Sequence, residues 1–187
     1  GKRTVQIYLL DNEPDLWHET HRDVHPEPLS YDELLDRTLR YAKAVRRADP
    51  EALIAGPSYW GWTGYFHSPR DQVQGFSLQS DRRAHGGLAL LHWYLQQLSA
   101  HEKQTGERLL DILNVHYYPQ ANDVYSAKAD EATAALRLRS TRSLWDPSYV
   151  DESWIKDKVR LIPRLREWVA QHYPGRGISI GEWSFGG

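Results

Sequence analysis

Apolar positions along the chain follow two alternating periods. Val5, Ile7, Leu9 and Leu10, with Tyr8 between them, make Arg3 to Leu10 a short apolar run, and the pattern predicts a buried strand ending near Asp11. Asp15 to Leu29 is polar and reads as a long loop. Ser30-Tyr31-Asp32-Glu33 has the form of a capping box, and Tyr31, Leu34, Leu35, Thr38, Leu39, Ala42 and Val45 follow at helical spacing, so a helix is expected to about Arg47. Ala52 to Pro57 reads as a second strand, followed by a ring-rich, glycine-rich loop from Ser58 to His67. Leu88, Leu91, Tyr94, Leu95 and Leu98 mark a second helix that Gly106 closes, and Leu109 to Val115 a third strand. Ala127 to Arg142 reads as a helical insertion. Trp154, Val159, Ile162, Leu165, Trp168 and Val169 support a third main helix, which begins near Leu161 because Pro163 fits only its first turn. Gly177 to Gly181 is the last strand.

Strands alternate with helices throughout, which implies an α/β fold with a parallel sheet covered by helices, either doubly wound or a segment of an eight-stranded barrel. Parallel strands point their carboxyl ends the same way. Asn12-Glu13, Trp60 to Phe66, His116 to Tyr118 and Glu182 all follow strand ends, so they are expected on one face.

Composition narrows the chemistry. With 187 residues and 40% hydrophobic content, the chain suits one domain core. A net charge of −2 supplies no field for nucleic acid or anionic lipid, and no apolar run reaches the roughly 18 residues of a membrane span. Without cysteine there is no disulfide or thiolate metal site. Eight Trp and eleven Tyr exceed the needs of many cores, and spare rings stack flat ligands such as sugars. No phosphate-binding glycine motif follows the first strand, which argues against a doubly wound phosphate-binding domain. The chain opens and closes almost directly on strands, as an internal piece of a longer protein would.

Two glutamates facing each other among aromatic rings are the parts for glycoside hydrolysis. One carboxyl group protonates the departing oxygen and the other attacks the sugar carbon; about 5 to 5.5 Å between them gives retention, and about 6.5 to 9.5 Å inversion.

Leu10-Asp11-Asn12-Glu13-Pro14-Asp15-Leu16-Trp17, Gly56-Pro57 with Trp60-Gly61-Trp62, His116-Tyr117-Tyr118-Pro119 and Ile180-Gly181-Glu182-Trp183 resemble, in order, the fourth to seventh strand ends of glycoside hydrolase family 44, endoglucanases and xyloglucanases. The resemblance implies a partial (β/α)8 TIM barrel, with residues 1–187 one segment of a catalytic barrel truncated at both ends. It implies Glu13 as general acid/base and Glu182 as nucleophile, with Asn12 on the 2-hydroxyl of the attacked sugar, Tyr118 orienting the nucleophile and His116 lining the cleft. Trp60, Trp62 and Trp183 are the candidate sugar platforms. Related sequences often carry Thr and Tyr where Gly181 and Trp183 stand. The implied partner is β-glucan or xyloglucan, met by a secreted monomer that needs no cofactor, with a structural calcium in relatives for which no ligands are placed here.

Plainer readings stand beside these. A Glu at a strand end can be a helix cap, Asn12 can make a local backbone bond, His116 and Tyr118 can be satisfied buried groups, and Trp60 and Trp62 can pack under loops. His18, His21 and His25 invite a zinc reading, but their segment lacks the helical register that would align them. Asp11 reads as structural, and Arg137 to Arg142 as a solvated helix face. The alternatives to a glucanase are a barrel glycosidase acting on mannan or xylan, and a non-catalytic carbohydrate-binding module.

Overall fold

The structure, a computed structural model, describes residues 5–186. Its elements are β1 (Ile7–Leu9), a 3-10 turn (Pro14–Leu16), α1 (Trp17–Thr20), α2 (Tyr31–Ala48), β2 (Leu53–Tyr59), a second 3-10 turn (Trp62–Tyr65), α3 (Pro69–Gln74), α4 (Ser80–Ala84), α5 (Leu90–Thr105), β3 (Ile112–Tyr117), α6 (Glu131–Ser140), a third 3-10 turn (Thr141–Leu144), α7 (Leu161–His172) and β4 (Gly177–Trp183). The strands form one parallel sheet in the order β1-β2-β3-β4. Crossovers between parallel strands share one hand, so an order that never reverses puts every connecting helix on the same side. The sheet therefore curls into half of a barrel, with α2, α5 and α7 outside it.

The core lies between strands and helices. Tyr59, Leu113, Val115 and Tyr117 on the outer sheet face pack with Leu34 of α2, Leu91, Tyr94, Leu95 and Leu98 of α5, and Leu161, Leu165 and Trp168 of α7. Each helix begins and ends where its local chemistry allows. Ser30 Oγ accepts from Glu33 N–H at 3.2 Å at the start of α2, satisfying a free donor of the first turn. Only half of the expected box forms, because the Glu33 carboxylate turns to His25 (2.8 Å) and Arg37 (2.7 Å). Gly106 ends α5 at φ 77°, a conformation that side chains resist. Helix α7 starts at Leu161, so Pro163 falls in its first turn, where no backbone donor is lost.

Several expectations need correction. The first strand is not buried: Val5, Ile7 and Leu9 are 44%, 44% and 52% exposed, because β1 is the edge of the sheet and their inner face has no covering layer among the described residues. The expected start of that strand at Arg3 lies outside the described residues. The loop from Asp15 to Leu29 contains α1, a single helical turn too short for periodicity to show. The third strand begins at Ile112 and runs to Tyr117, since its pairing with β4 extends that far while Leu109 and Leu110 are buried ahead of it. The last strand likewise runs on to Trp183. Trp154 lies outside α7 and is 60% exposed. Helices α3 and α4, absent from the sequence pattern, are pinned by buried carboxylates: Asp71 accepts from Asp81 and Arg82 N–H at 2.9 Å, and Asp81 accepts from Ser68 Oγ at 2.7 Å. No helix among the described residues is long and apolar enough to cross a membrane.

Candidate active site

Glu13 stands where β1 gives way to the turn Pro14–Leu16. Asp11, Glu13 and, on the neighbouring strand, Ser58 have φ of 69°, 45° and 58°. Non-glycine residues rarely take this left-handed conformation, and it persists where surrounding bonds fix it. Here Glu13 N–H donates to the Ser58 carbonyl at 3.0 Å, and Leu16 N–H closes the turn on the Glu13 carbonyl at 2.9 Å. At the other end of the chain, Val115 pairs with Ile180 but Tyr117 pairs with Trp183, so β4 holds one residue more than β3 over this stretch. Such a bulge re-aims a side chain. It brings Glu182 to the inner face beside His116.

The result is a compact trio. His116 Nδ1 is 2.8 Å from Glu13 Oε1 and 3.7 Å from Glu182 Oε2, and one ligand atom from each residue lies within 4.8 Å of the others. His116 is 1% exposed, while the Glu13 and Glu182 side chains are 18% and 44% exposed, so the imidazole forms the floor and the carboxylates face the opening. The Tyr118 hydroxyl donates to Glu182 Oε2 at 2.9 Å; burial, and then that carboxylate, raises its pKa and keeps it a donor. Behind the trio, the fully buried Tyr65 hydroxyl donates to the His116 carbonyl and fixes its backbone.

Beside the trio a cleft of about 560 Å³ is lined by Trp60, Tyr118, Pro119, Gln120, Ala121, Tyr125 and Ser184. Trp60 is thus where the sequence put it. Trp62 is not: its ring packs on Phe66 (4.8 Å between centroids) beneath the Arg164 guanidinium (5.1 Å), so it serves the joint between loop and α7. Trp183 also lies apart from the trio. It pairs in register with Tyr117, whose side chain is in the outer core, and consecutive strand residues face opposite sides, so its ring stands 63% exposed beside Phe185. Asn12 is exposed next to Glu13; its N–H meets the Asp11 carboxylate at 2.8 Å and its carbonyl accepts from Trp17 Nε1 at 3.1 Å. His18, His21 and His25 do not converge: His25 Nε2 is bound to Glu33, and His18 lies 3.8 Å from Glu19.

One carboxylate escaped the sequence reading. Asp15 is 5% exposed and accepts from Trp60 N–H at 3.1 and 3.2 Å through its two oxygens. Burial pushes its pKa up to about 7, against the pull of those backbone donors and with help from the nearby Glu13 charge. The Asp-Leu-Trp stretch after Glu13-Pro14 shows no period, so nothing in the pattern marked Asp15 as buried. Tyr125, whose hydroxyl donates to the Ser184 carbonyl at 3.0 Å, was also unmarked, since the segment from Asp123 onward shows no clear apolar period.

This geometry agrees with what the sequence is similar to. The sequence model of glycoside hydrolase family 44 matches residues 1–121. The chain belongs to that family. It is 38% identical over 192 residues to endoglucanase A of Paenibacillus lautus, a match that takes in 98% of this chain and 27% of that protein. Among solved structures, CelM2, a bifunctional glucanase-xylanase from a metagenome library, superposes with a TM-score of 0.93 at 49% identity, over 97% of this chain and 36% of CelM2. A Paenibacillus polymyxa family 44 xyloglucanase, solved with xyloglucan, gives 0.85 at 32% identity over 100% of this chain and 37% of its own. This family 44 chain therefore spans about a third of the length of the solved relatives.

Proposed function

We propose that this family 44 chain carries the catalytic pair of a retaining endo-β-1,4-glucanase that acts on cellulose-type glucan or xyloglucan. The reading rests on one observation: the Glu13 and Glu182 carboxylates present oxygens within 4.8 Å of each other across His116. Carboxylates whose oxygens come this near suit the roughly 5 to 5.5 Å separation of retaining enzymes.

In the first step a Glu182 oxygen attacks the anomeric carbon. The glycosidic bond breaks with its electron pair on the departing oxygen, which takes the proton of Glu13. In the second step Glu13, now a carboxylate, accepts a proton from water as the water oxygen attacks the same carbon and the bond to Glu182 breaks. The Tyr118 hydroxyl holds one Glu182 oxygen, leaving the other to attack. His116, anchored from behind by Tyr65, sets the orientation of the Glu13 carboxyl group. In this reading Asn12 meets the 2-hydroxyl and Trp60 supplies a stacking face in the cleft. The same reading makes the protein a secreted monomer with no cofactor.

Replacing Glu182 by Gly in the full-length protein that carries these residues should lower turnover by at least about 10³-fold, and azide should restore cleavage with an inverted glycosyl azide as product. Product configuration by NMR reads the outcome; a variant with ordinary activity removes Glu182 from the mechanism. Xylan is the second substrate to test, because CelM2, at 49% identity, is described as a glucanase-xylanase. Release of reducing ends from polymer separates either enzyme from a binding module, which would hold the polymer without shortening it.

A further inference from the structure

Asp15 contributes no atom to the trio, yet it sits at the junction of the strand ends that build it. Its backbone lies in the turn Pro14–Leu16 that closes on the Glu13 carbonyl. Both of its carboxylate oxygens reach the N–H of Trp60, the first residue after β2. Among the described residues no cation pairs with it, although it is 5% exposed. A buried carboxylate without a cation is costly, and neutral packing would be cheaper if filling space were its only task. The surroundings are shaped to admit it: a Cβ on Gly64 would stand 2.7 Å from Asp15 Oδ2 and 2.6 Å from Tyr59 Cδ1, so only glycine leaves room.

We infer that Asp15 is a positioning residue, whose bonds to the Trp60 backbone lock the Glu13 turn and the Trp60 loop into one frame, so that acid and sugar platform keep their relative placement. The inference rests on the proposed roles of Glu13 and Trp60. Beyond the last strand-type bond, Leu10 N–H to the Ala55 carbonyl, the two segments are tied here by Glu13 N–H to Ser58 and by Asp15 to Trp60. Releasing the second lets Glu13 drift from the departing oxygen, and misplacement by about 1 Å can cost on the order of a hundredfold.

The test compares substrates that do and do not need the acid. A 2,4-dinitrophenyl β-cellotrioside departs without protonation, whereas cellohexaose requires it. In the full-length protein, Asp15→Ala, which leaves Trp60 N–H without this acceptor, should lower the ratio of kcat/KM for cellohexaose to that for the dinitrophenyl substrate by about tenfold or more, whereas Asp15→Asn, which keeps one acceptor oxygen, should hold the ratio near the parent's. Gly64→Ala, which crowds the carboxyl group off Trp60 while leaving Asp15 itself in place, should move the ratio the same way as Asp15→Ala. Combining Asp15→Ala with Trp60→Ala should change KM by less than the product of the single effects, because one acts through the other. Parallel loss on both substrates in Asp15→Ala and Gly64→Ala, or no change in their ratio, overturns the inference. Glu13→Ala serves as the reference: if its ratio also stays level, the acid assignment itself fails, whereas a collapsed ratio in Glu13→Ala alone sinks only the role of Asp15.

Discussion

At the scale of single residues, Asp15 also leaves a mark on stability. Its folded pKa of about 7 lies above the ordinary 3.8, so the folded protein holds a proton on Asp15 that the unfolded chain has released. Its contribution is therefore fully favourable below about pH 4, declines as pH rises through 7, and changes no further above that. Asp15→Asn keeps an acceptor for Trp60 N–H and removes the ionisation. Relative to the parent, this variant should gain on the order of 2–4 kcal/mol between pH 4 and pH 8, read from urea unfolding midpoints across that range. A constant difference at every pH would mean that Asp15 is ionised in the folded state throughout. Sequence alone gave no means to see this, because desolvation depends on what the Trp60 loop lays over the carboxylate.

At the scale of elements, the strands are tied to the helix layer at the end of the sheet opposite the trio. Arg46, in the last turn of α2, donates to the Arg108 carbonyl at 2.8 Å and bonds to the Ala52 carbonyl and the Asp111 carboxylate. Asp111 Oδ2 also accepts from Ile54 N–H of β2 at 2.8 Å. One carboxylate thus serves α2 and β2 just before β3 begins. Asp111→Ala would leave a largely buried guanidinium and a strand N–H without that acceptor. It should cost about 3 kcal/mol, measured by chemical denaturation, with the substrate ratio of the Asp15 test unaffected. A loss under about 0.5 kcal/mol would show that Arg46 finds its other carbonyls sufficient. The elements themselves were largely legible. The period of 3.6 gave α2, α5 and α7 nearly to their ends because each lays one apolar stripe on the sheet, while α1, α3 and α4 are shorter than the period needs and depend on side-chain bonds from elsewhere, such as those of Asp71 and Asp81.

At the scale of the whole molecule, the half-barrel has one covered face and one bare one. Leu9, Ala55 and Ile112 align across the first three strands on the inner face, where Ile7 and Leu53 are 44% and 42% exposed. An apolar cavity of about 350 Å³ also opens between β1 and α2, lined by Tyr8, Leu10, Leu34 and Val45, with neither Glu13 nor Glu182 in its walls. Open strand edges and apolar faces of this kind promote association. The 187-residue chain expressed by itself should therefore bind a hydrophobic dye such as ANS and self-associate, and Ile7→Lys with Leu53→Glu should reduce both, as read by fluorescence and sedimentation. Unchanged dye binding would place the sticky surface elsewhere. The sequence by itself determined the alternation of strands and helices, the parallel sheet and the carboxyl-end placement of Glu13, Trp60, His116 and Glu182, because hydrophobic period and strand polarity are local properties. Only the tertiary structure decided that His116 bridges the two glutamates, that a bulge turns Glu182 inward and leaves Trp183 outside, that Trp62 packs under Arg164 and that Asp15 is buried. Each of these depends on which atoms of distant segments come within bonding distance, and no local pattern encodes that.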